Sequence, residues 1–139
     1  MLFSNLTKAL SVYKGHRYVL VGPLPWNHTV AERTCEQYGG YLVEVDDDEE
    51  YNFLVSFLKD KPKPGSEQFG FISGTAKGHE GSYVFQHSGK PVTFFKWASG
   101  EPDRIATQNY LSLDNSNIKM YDLMGVKTTA RGWSVCEIE

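Results

Sequence analysis

Two carboxylates separated by one proline stand in the stretch Trp97-Ala98-Ser99-Gly100-Glu101-Pro102-Asp103. Because the proline ring stiffens the main chain, it holds the two acids in an acceptor-rich bend. Carboxylate oxygens are the ligands that a hard cation prefers, and they also accept hydrogen bonds from hydroxyl groups. Two more acids follow downstream, Asp122 after Met120-Tyr121 and Glu137 after Cys136. The bend therefore suits a Ca²⁺ ion or a pair of sugar hydroxyls.

The composition is that of one folded domain. With 139 residues, of which 40% are hydrophobic and 22% charged, the chain can bury one substantial core. Its formal net charge of −3 gives no basic surface for nucleic acid or anionic lipid. No apolar run approaches the roughly 18 residues of a membrane span. We therefore predict a single domain with no nucleic-acid partner and no membrane span in this chain.

The elements that must position the acidic bend begin with two helices. Residues 1–12 have no clear periodicity and predict a short lead-in before a domain at 13–139. The first helix is predicted from Asn27 to Gly39-Gly40, with a capping box formed by Thr29 and Glu32. A second helix follows the acidic run 46–50, since carboxylates favour a helix N-terminus. That run is not an EF-hand, because Tyr51 occupies the required glycine position.

Strands account for most of the remaining chain. β-branched and aromatic runs bounded by turn residues predict strands at 16–21, 41–45, 70–74, 82–85, 92–97, 110–113, 119–123 and 133–137. Two early helices followed by strands indicate an α+β domain rather than a wound α/β sheet. The acids of the bend then lie in a polar loop at 99–108, between strands.

The order and spacing of several segments resemble the C-type lectin-like domain. The segments are Ala31-Glu32-Arg33-Thr34-Cys35, Gly39-Gly40-Tyr41-Leu42-Val43, Phe71-Ile72-Ser73-Gly74, Glu80-Gly81-Ser82-Tyr83, the Trp97 to Asp103 stretch and Cys136-Glu137. The resemblance covers residues from about Tyr13 to Glu139. It implies two helices packed on short antiparallel sheets, with a long loop region that carries the binding site.

The only two cysteines are Cys35 and Cys136. Their number alone is compatible with two buried thiols or with one disulfide. The family resemblance implies that they are bonded to each other, in an oxidising compartment. We therefore expect a secreted or extracellular domain, although no signal peptide is seen in this chain. The family's inner disulfide would join positions near Tyr110 and Gly125, and neither is a cysteine.

The resemblance also implies a binding site, from which this sequence departs at two positions. The carbohydrate-binding positions of the family fall on Glu101, Asp103, Gln108, Tyr121 and Asp122. Four of them, all except Tyr121, would hold Ca²⁺. Gln108 stands where the family has a glutamate, and Tyr121 replaces an asparagine with a phenol, which is a poor calcium ligand. A packing or partner-contact role is the alternative for Tyr121.

Two functions follow from these residues. The first is a Ca²⁺-dependent, carbohydrate-binding lectin whose partner is a glycan or glycoprotein. Because one sugar binds weakly, a homo-oligomer or a repeated ligand would supply avidity. The alternative is a metal-independent domain that binds a protein or another non-sugar ligand, with Glu101 and Asp103 as a solvated loop tip. Ala76, found where an auxiliary calcium site has an acid, favours this alternative.

The remaining expectations concern the type of sugar, catalysis, and the burial of the tryptophan and histidine side chains. Glu101 with Asp103 matches neither the family's Glu-Pro-Asn pattern for mannose nor its Gln-Pro-Asp pattern for galactose, so no sugar is predicted. No nucleophile elbow or phosphate loop occurs, and one short loop lacks the cleft that glycosidase acids need, so we expect no catalysis. Trp97 and Trp133 are predicted in the core, Trp26 partly exposed, and all four histidines on the surface.

Overall fold

The computed structural model describes residues 7–65, 68–76, 82–102 and 109–139, apart from the side chains of Thr7 and Thr128. The elements in chain order are β1 Thr7–Tyr13, β2 His16–Asn27, α1 His28–Gln37, β3 Tyr41–Leu42, α2 Asp48–Leu58, β4 Phe69–Thr75, β5 Tyr110–Asp114, β6 Met120–Leu123 and β7 Val126–Ile138. The predicted α+β class is confirmed. Neither helix in these ranges is long and apolar enough to cross a membrane.

The seven strands of the described residues form one mixed sheet rather than the separate short antiparallel sheets expected. Their order is β1-β2-β7-β4-β5-β6, and β3 pairs with β7. Strand β7 lies parallel to β4 and antiparallel to β2, so it joins the N-terminal strands to the β4-β5-β6 half. This central position of β7 explains why one sheet forms instead of two.

Strand β1 lies in the segment for which we predicted no regular structure. It pairs with β2 along its whole length, from Thr7 opposite Gly22 to Tyr13 opposite His16. Lys14 and Gly15 have φ angles of 48° and 82°, which suit a tight two-residue hairpin turn. The strand escaped prediction because apolar residues lie on both of its faces: Ala9 and Tyr13 pack on the core, whereas Leu10 is 68% and Val12 65% exposed.

The sheet has one helix packed on each of its faces. Successive side chains of β2 point to opposite faces, as in any strand. Tyr18 and Leu20 accordingly belong to the apolar cluster that includes α2, whereas Val19 and Val21 belong to the cluster that includes α1. In β4, Ile72 likewise belongs to the cluster with α2, and its neighbour Phe71 belongs to the cluster with α1. The resulting three layers bury both sides of the central strands.

The helices begin where expected, but the first is capped differently. The Asn27 side-chain oxygen accepts a hydrogen bond from the Val30 main-chain N–H at 3.2 Å. The predicted capping box of Thr29 and Glu32 is therefore wrong, because α1 already begins at His28. In α2, Asp47 accepts from the Glu50 N–H at 2.8 Å, and three acids occupy the first turn. This agrees with the predicted role of the acidic run.

The predicted strands at 82–85 and 92–97 are wrong, and the strand at 41–45 is shorter than expected. Within the described part of these segments, pairing is limited to isolated bridges of Val84 with Thr75 and Pro91, and of Trp97 with Met120. Their apolar pattern has another origin. Side chains such as Phe94, Phe95 and Trp97 pack onto the core without the main chain joining a continuous ladder.

The predicted disulfide between Cys35 and Cys136 is confirmed. It joins α1 to β7 across 101 positions of the chain, and both cysteines are fully buried. In the chain-entropy model, closing a loop of this length stabilises a fold by about 4–5 kcal/mol. The bond therefore secures the helix to the strand at the centre of the sheet.

Candidate functional site

The acidic bend is attached to β6 by main-chain hydrogen bonds. The Met120 N–H donates to the Lys96 carbonyl at 2.7 Å, and the Ala98 N–H donates to the Met120 carbonyl at 3.0 Å. The segment around Trp97 therefore runs parallel to β6, the edge strand, and pairs with it at Met120. Asp122 is two residues after Met120 in β6, so the two residues are about 7 Å apart along the strand at its usual rise. The main-chain bonds thus place the segment that leads into Glu101 beside the strand that carries Asp122.

Within the bend, the chain folds back on itself just before Glu101. The Glu101 N–H donates to the Ala98 carbonyl at 3.0 Å, and Gly100 has a φ of +83° that favours glycine. Glu101 and Pro102 are half-buried and joined by a cis peptide bond. Two of the predicted site residues, Asp103 and Gln108, lie outside the described residues.

The other two predicted site residues are neighbours in β6 but occupy opposite faces of the sheet. Asp122 is fully buried and stands opposite Leu111 of β5. Tyr121 is half-buried, and its ring meets that of Phe69 edge-on with centroids 4.9 Å apart. Because adjacent side chains of a strand point in opposite directions, Tyr121 does not share the side of Asp122. This geometry favours the packing role for Tyr121.

The donor chemistry of the predicted site fits calcium. Glu101, Asp103 and Asp122 supply carboxylate oxygens and Gln108 an amide oxygen, and all of these are hard ligands of the kind that Ca²⁺ prefers. Across the ranges 7–65, 68–76, 82–102 and 109–139, no three His, Cys, Asp or Glu side chains form a metal-ligand group. A site at the bend therefore depends on Asp103 and Gln108. Ala76 is a buried residue with no ligand atom in its side chain.

An aromatic contact occupies the place of the family's inner disulfide. A Cβ atom built on Gly125 would lie 2.5 Å from the ring of Tyr110, so the ring rests directly on the glycine. The His28 ring lies 4.1 Å from that of Tyr110, and the His28 N–H donates to the Gly125 carbonyl at 2.8 Å. Packing and a main-chain hydrogen bond thus join β5 to the segment before β7 without a covalent bond.

Two predictions about single side chains, those for His28 and Trp26, are corrected by their burial. His28 is 3% exposed rather than a surface residue, because it packs between Tyr110 and Phe71. Trp26 is 1% exposed rather than partly exposed, since it stacks on Phe71 at 4.1 Å. Trp133 lies in the core as predicted, and Trp97 is partly buried against that core.

A second group of acids was missed by sequence reasoning. It joins Glu50 of α2 to Glu137 of β7 through the hydroxyl of Tyr18, which lies 2.7 Å from Glu50 Oε2 and 3.4 Å from Glu137 Oε2. His16 Nδ1 lies 2.6 Å from the same Glu137 oxygen. The residues are far apart in sequence. The only local signals were an acid in the first turn of α2 and the closing Cys136-Glu137 pair.

Burial controls the proton affinity of this group. It raises the pKa of Glu50 to about 7 and also raises the pKa of Glu137. The hydrogen bond to Glu137 raises the pKa of His16. All three groups therefore bind protons more tightly in the folded domain than in the unfolded chain.

The comparison with protein families agrees with this architecture. The family model described as Lectin C-type domain matches residues 25–133, which include both helices, the acidic bend and most of the sheet. The chain belongs to the C-type lectin domain family.

A curated relative of this C-type lectin domain is the Perlucin-like protein of Mytilus galloprovincialis. The two are 28% identical over 80 residues, which are 57% of this chain and 49% of the relative. The chain thus matches about half the length of that protein.

Solved structures show the same fold at lower identity. The mouse scavenger receptor C-type lectin carbohydrate-recognition domain is 18% identical, with a TM-score of 0.77 over 94% of this chain and 93% of that one. A calcium-independent type II antifreeze protein is 17% identical, with a TM-score of 0.73 over 97% and 96%. The fold of this C-type lectin domain therefore occurs both in a carbohydrate-recognition domain and in an antifreeze protein.

Proposed function

We propose that this domain is a non-catalytic carbohydrate-binding lectin, with Ca²⁺ held by Glu101, Asp103, Gln108 and Asp122. The observation that supports it best is the main-chain pairing of the acidic bend with β6 at Met120. Through that pairing, Glu101 lies on a loop fixed beside the strand that carries Asp122. Carboxylates from distant parts of the chain then contribute to one oxygen-rich site.

The expected role of the ion is to join the protein to the sugar. Glu101, Asp103, Gln108 and Asp122 would hold the ion, which would supply positive charge and coordination positions for two vicinal hydroxyls of the ligand. The acids around it accept hydrogen bonds from those same hydroxyls. The partner would then be a glycan or glycoprotein carrying a vicinal diol. The Cys35–Cys136 disulfide supports a secreted or extracellular location, since such bonds persist in oxidising compartments.

Calorimetric titration of Ca²⁺ into the wild type and Glu101→Gln tests the metal. The amide keeps the size of the side chain but removes one charge, so the calcium affinity should fall at least about tenfold. Glu36→Gln is the matched control, because Glu36 is an exposed acid on α1, far from the bend in sequence. Equal calcium affinity in all three proteins, or no binding by the wild type, would reject the metal site.

A metal-independent domain that binds a non-sugar ligand is the second candidate. The edge-on contact of Tyr121 with Phe69 supports it, since a packed phenol stands where the family has a ligating amide. The calcium-independent antifreeze protein has the same fold and makes such a function compatible with it. This candidate predicts no calcium heat, and ligand binding that is unchanged by a chelator.

A further inference from the structure

The Glu50 and Glu137 group lies on the side of the domain where β2, α2 and β7 meet. A cavity of about 260 Å³ opens onto it, lined partly by His16, Tyr18, Glu50 and Glu137. Tyr18, Glu50 and Glu137 are each at most 6% exposed. Solvent can therefore exchange protons with the group through the cavity, while the carboxylates themselves are largely removed from water.

One oxygen of each carboxylate is already bound to the main chain. The Asp46 N–H donates to Glu50 Oε1 at 3.0 Å, and the Glu44 N–H donates to Glu137 Oε1 at 3.2 Å. The other oxygen of each acid faces the Tyr18 hydroxyl, and His16 Nδ1 approaches that of Glu137. The main-chain bonds orient both acids, so that the second oxygen of each faces the Tyr18 hydroxyl.

The contacts between these four side chains require three hydrogens. They are the contacts of Glu50 with Tyr18, of Tyr18 with Glu137, and of Glu137 with His16. The Tyr18 hydroxyl supplies one hydrogen and His16 Nδ1 supplies another, whereas an ionised carboxylate supplies none. A third hydrogen requires one of the two carboxyl groups to be neutral, and burial raises the pKa of Glu50 to about 7. An ionised Glu50 accepts from the Tyr18 hydroxyl at 2.7 Å, whereas a neutral Glu50 donates to the Tyr18 oxygen and leaves the hydroxyl free to donate to Glu137.

We propose that Glu50, Tyr18, Glu137 and His16 form a proton-binding latch that fastens α2 and β2 to β7 in mild acid and loosens as Glu50 ionises. With Glu50 neutral, each contact of the chain has its hydrogen. With both acids ionised, two buried negative charges share one hydroxyl proton, and their repulsion opposes the packing of α2 against the sheet.

The charges that face the latch are mostly negative. From the β1-β2 hairpin come Tyr13, Lys14 and His16, and Lys14 pairs with the exposed Glu49 of α2 at 2.9 Å. The segment before α2 contributes Glu44, Asp46 and Asp47, and β7 with the chain end contributes Glu137 and Glu139. Among the described residues, positive charge near these acids comes from Lys14 and His16, from Lys90 near Asp46, and from His87 beside Glu139 when it is protonated. The surroundings therefore favour uptake of a proton.

Folding raises the pKa of both acids of the latch, Glu50 and Glu137, and of His16. Burial raises the pKa of Glu50 from 4.5 to about 7, so between these values the folded domain holds a proton that the unfolded chain has released. Its contribution to stability is complete below 4.5 and falls as the pH rises towards 7. The raised pKa values of Glu137 and His16 have the same sign. The latch therefore stabilises the domain more in mild acid than in mild base.

Urea unfolding at about pH 5.5 and about pH 8, with a chelator throughout, tests the latch. Glu50→Gln should lower the unfolding equilibrium constant at the higher pH at least about tenfold, because its amide supplies the missing hydrogen without charge. The free energy of unfolding of Glu50→Gln should therefore differ less between the two pH values than that of the wild type. Glu49→Gln is the control, since Glu49 is the exposed acid next in the helix, and it should retain the wild-type difference.

The proposal fails if Glu50→Gln and Glu49→Gln have the same pH dependence, or if Glu50→Gln is less stable than the wild type at the higher pH. A second measurement needs no substitution. Carboxyl carbon NMR of the wild-type domain should show Glu50 titrating near pH 7. Titration of Glu50 near its ordinary value of 4.5 would equally overturn the latch.

Discussion

The two regions that carry acids hold them in different ways. Around β7, the carboxylates of Glu50 and Glu137 are buried and receive main-chain hydrogen bonds from Asp46 and Glu44. The nearby Cys35–Cys136 disulfide adds a covalent constraint. Here the acids belong to the framework, and their charge is controlled by protonation.

The acidic bend depends on weaker constraints. Its main chain is bonded to β6 at Met120, and in place of an inner disulfide the ring of Tyr110 rests on Gly125. Glu101 is half-buried rather than enclosed. The difference indicates that the strongest constraints are at β7, whereas ligand binding at the bend is our proposal.

Removal of the disulfide should give the largest effect. Replacing Cys35 and Cys136 together by serine should lower the free energy of unfolding by about 4 kcal/mol, because the unfolded chain regains the freedom of the open loop. Urea unfolding under non-reducing conditions measures this. Dithiothreitol should destabilise the wild type but leave the double variant unchanged. A loss below about 1 kcal/mol would show that β7 is held mainly by packing.

At the other region, Gly125→Ala should cost about 1–3 kcal/mol, because the new methyl group would overlap the Tyr110 ring. A double-mutant cycle with Tyr110→Ala isolates that contact. In the Tyr110→Ala background, the Gly125→Ala change should cost little, since the space above the glycine is then open. If the two costs simply add, the ring contact does not replace the missing disulfide.

The smallest effect is expected at the edge of the latch. His16→Gln should destabilise the domain at about pH 6 by about 0.5 kcal/mol, since the side chain is partly exposed and its ion pair with Glu137 is screened by solvent. The raised pKa of His16 means that this contribution disappears as the pH rises above that pKa, so the variant should match the wild type at about pH 9. His87→Gln, on an exposed histidine, is the control. A loss of equal size at both pH values would assign His16 a packing role only.

The sequence predicts what local spacing or a motif determines. Both helices follow from periodicity, and the bond between Cys35 and Cys136 follows from the family resemblance. Pairing of Glu50 with Glu137 could not be predicted, because only the tertiary fold brings these acids to one hydroxyl. The false strand at 92–97 arose because Phe94 and Phe95 are apolar for packing rather than for pairing.

At the candidate site, the sequence supplies the donor set and the structure supplies part of its placement. Glu101 and Asp122 lie on segments that the fold holds side by side, which order along the chain does not reveal. Tyr121 occupies a family ligand position in the sequence, yet it packs on Phe69 across the sheet. Only the alternation of β6 side chains distinguishes these two roles. The parts played by Asp103 and Gln108 remain predictions.

Binding of the domain to a glycan array, with Ca²⁺ and with a chelator, tests the proposed function most directly. We predict binding to glycans with vicinal hydroxyls that disappears in chelator, returns when Ca²⁺ is restored, and is lost in Glu101→Gln but kept in Glu36→Gln. Glycan binding that persists in chelator, or that Glu101→Gln leaves unchanged, would contradict calcium-dependent recognition at the acidic bend.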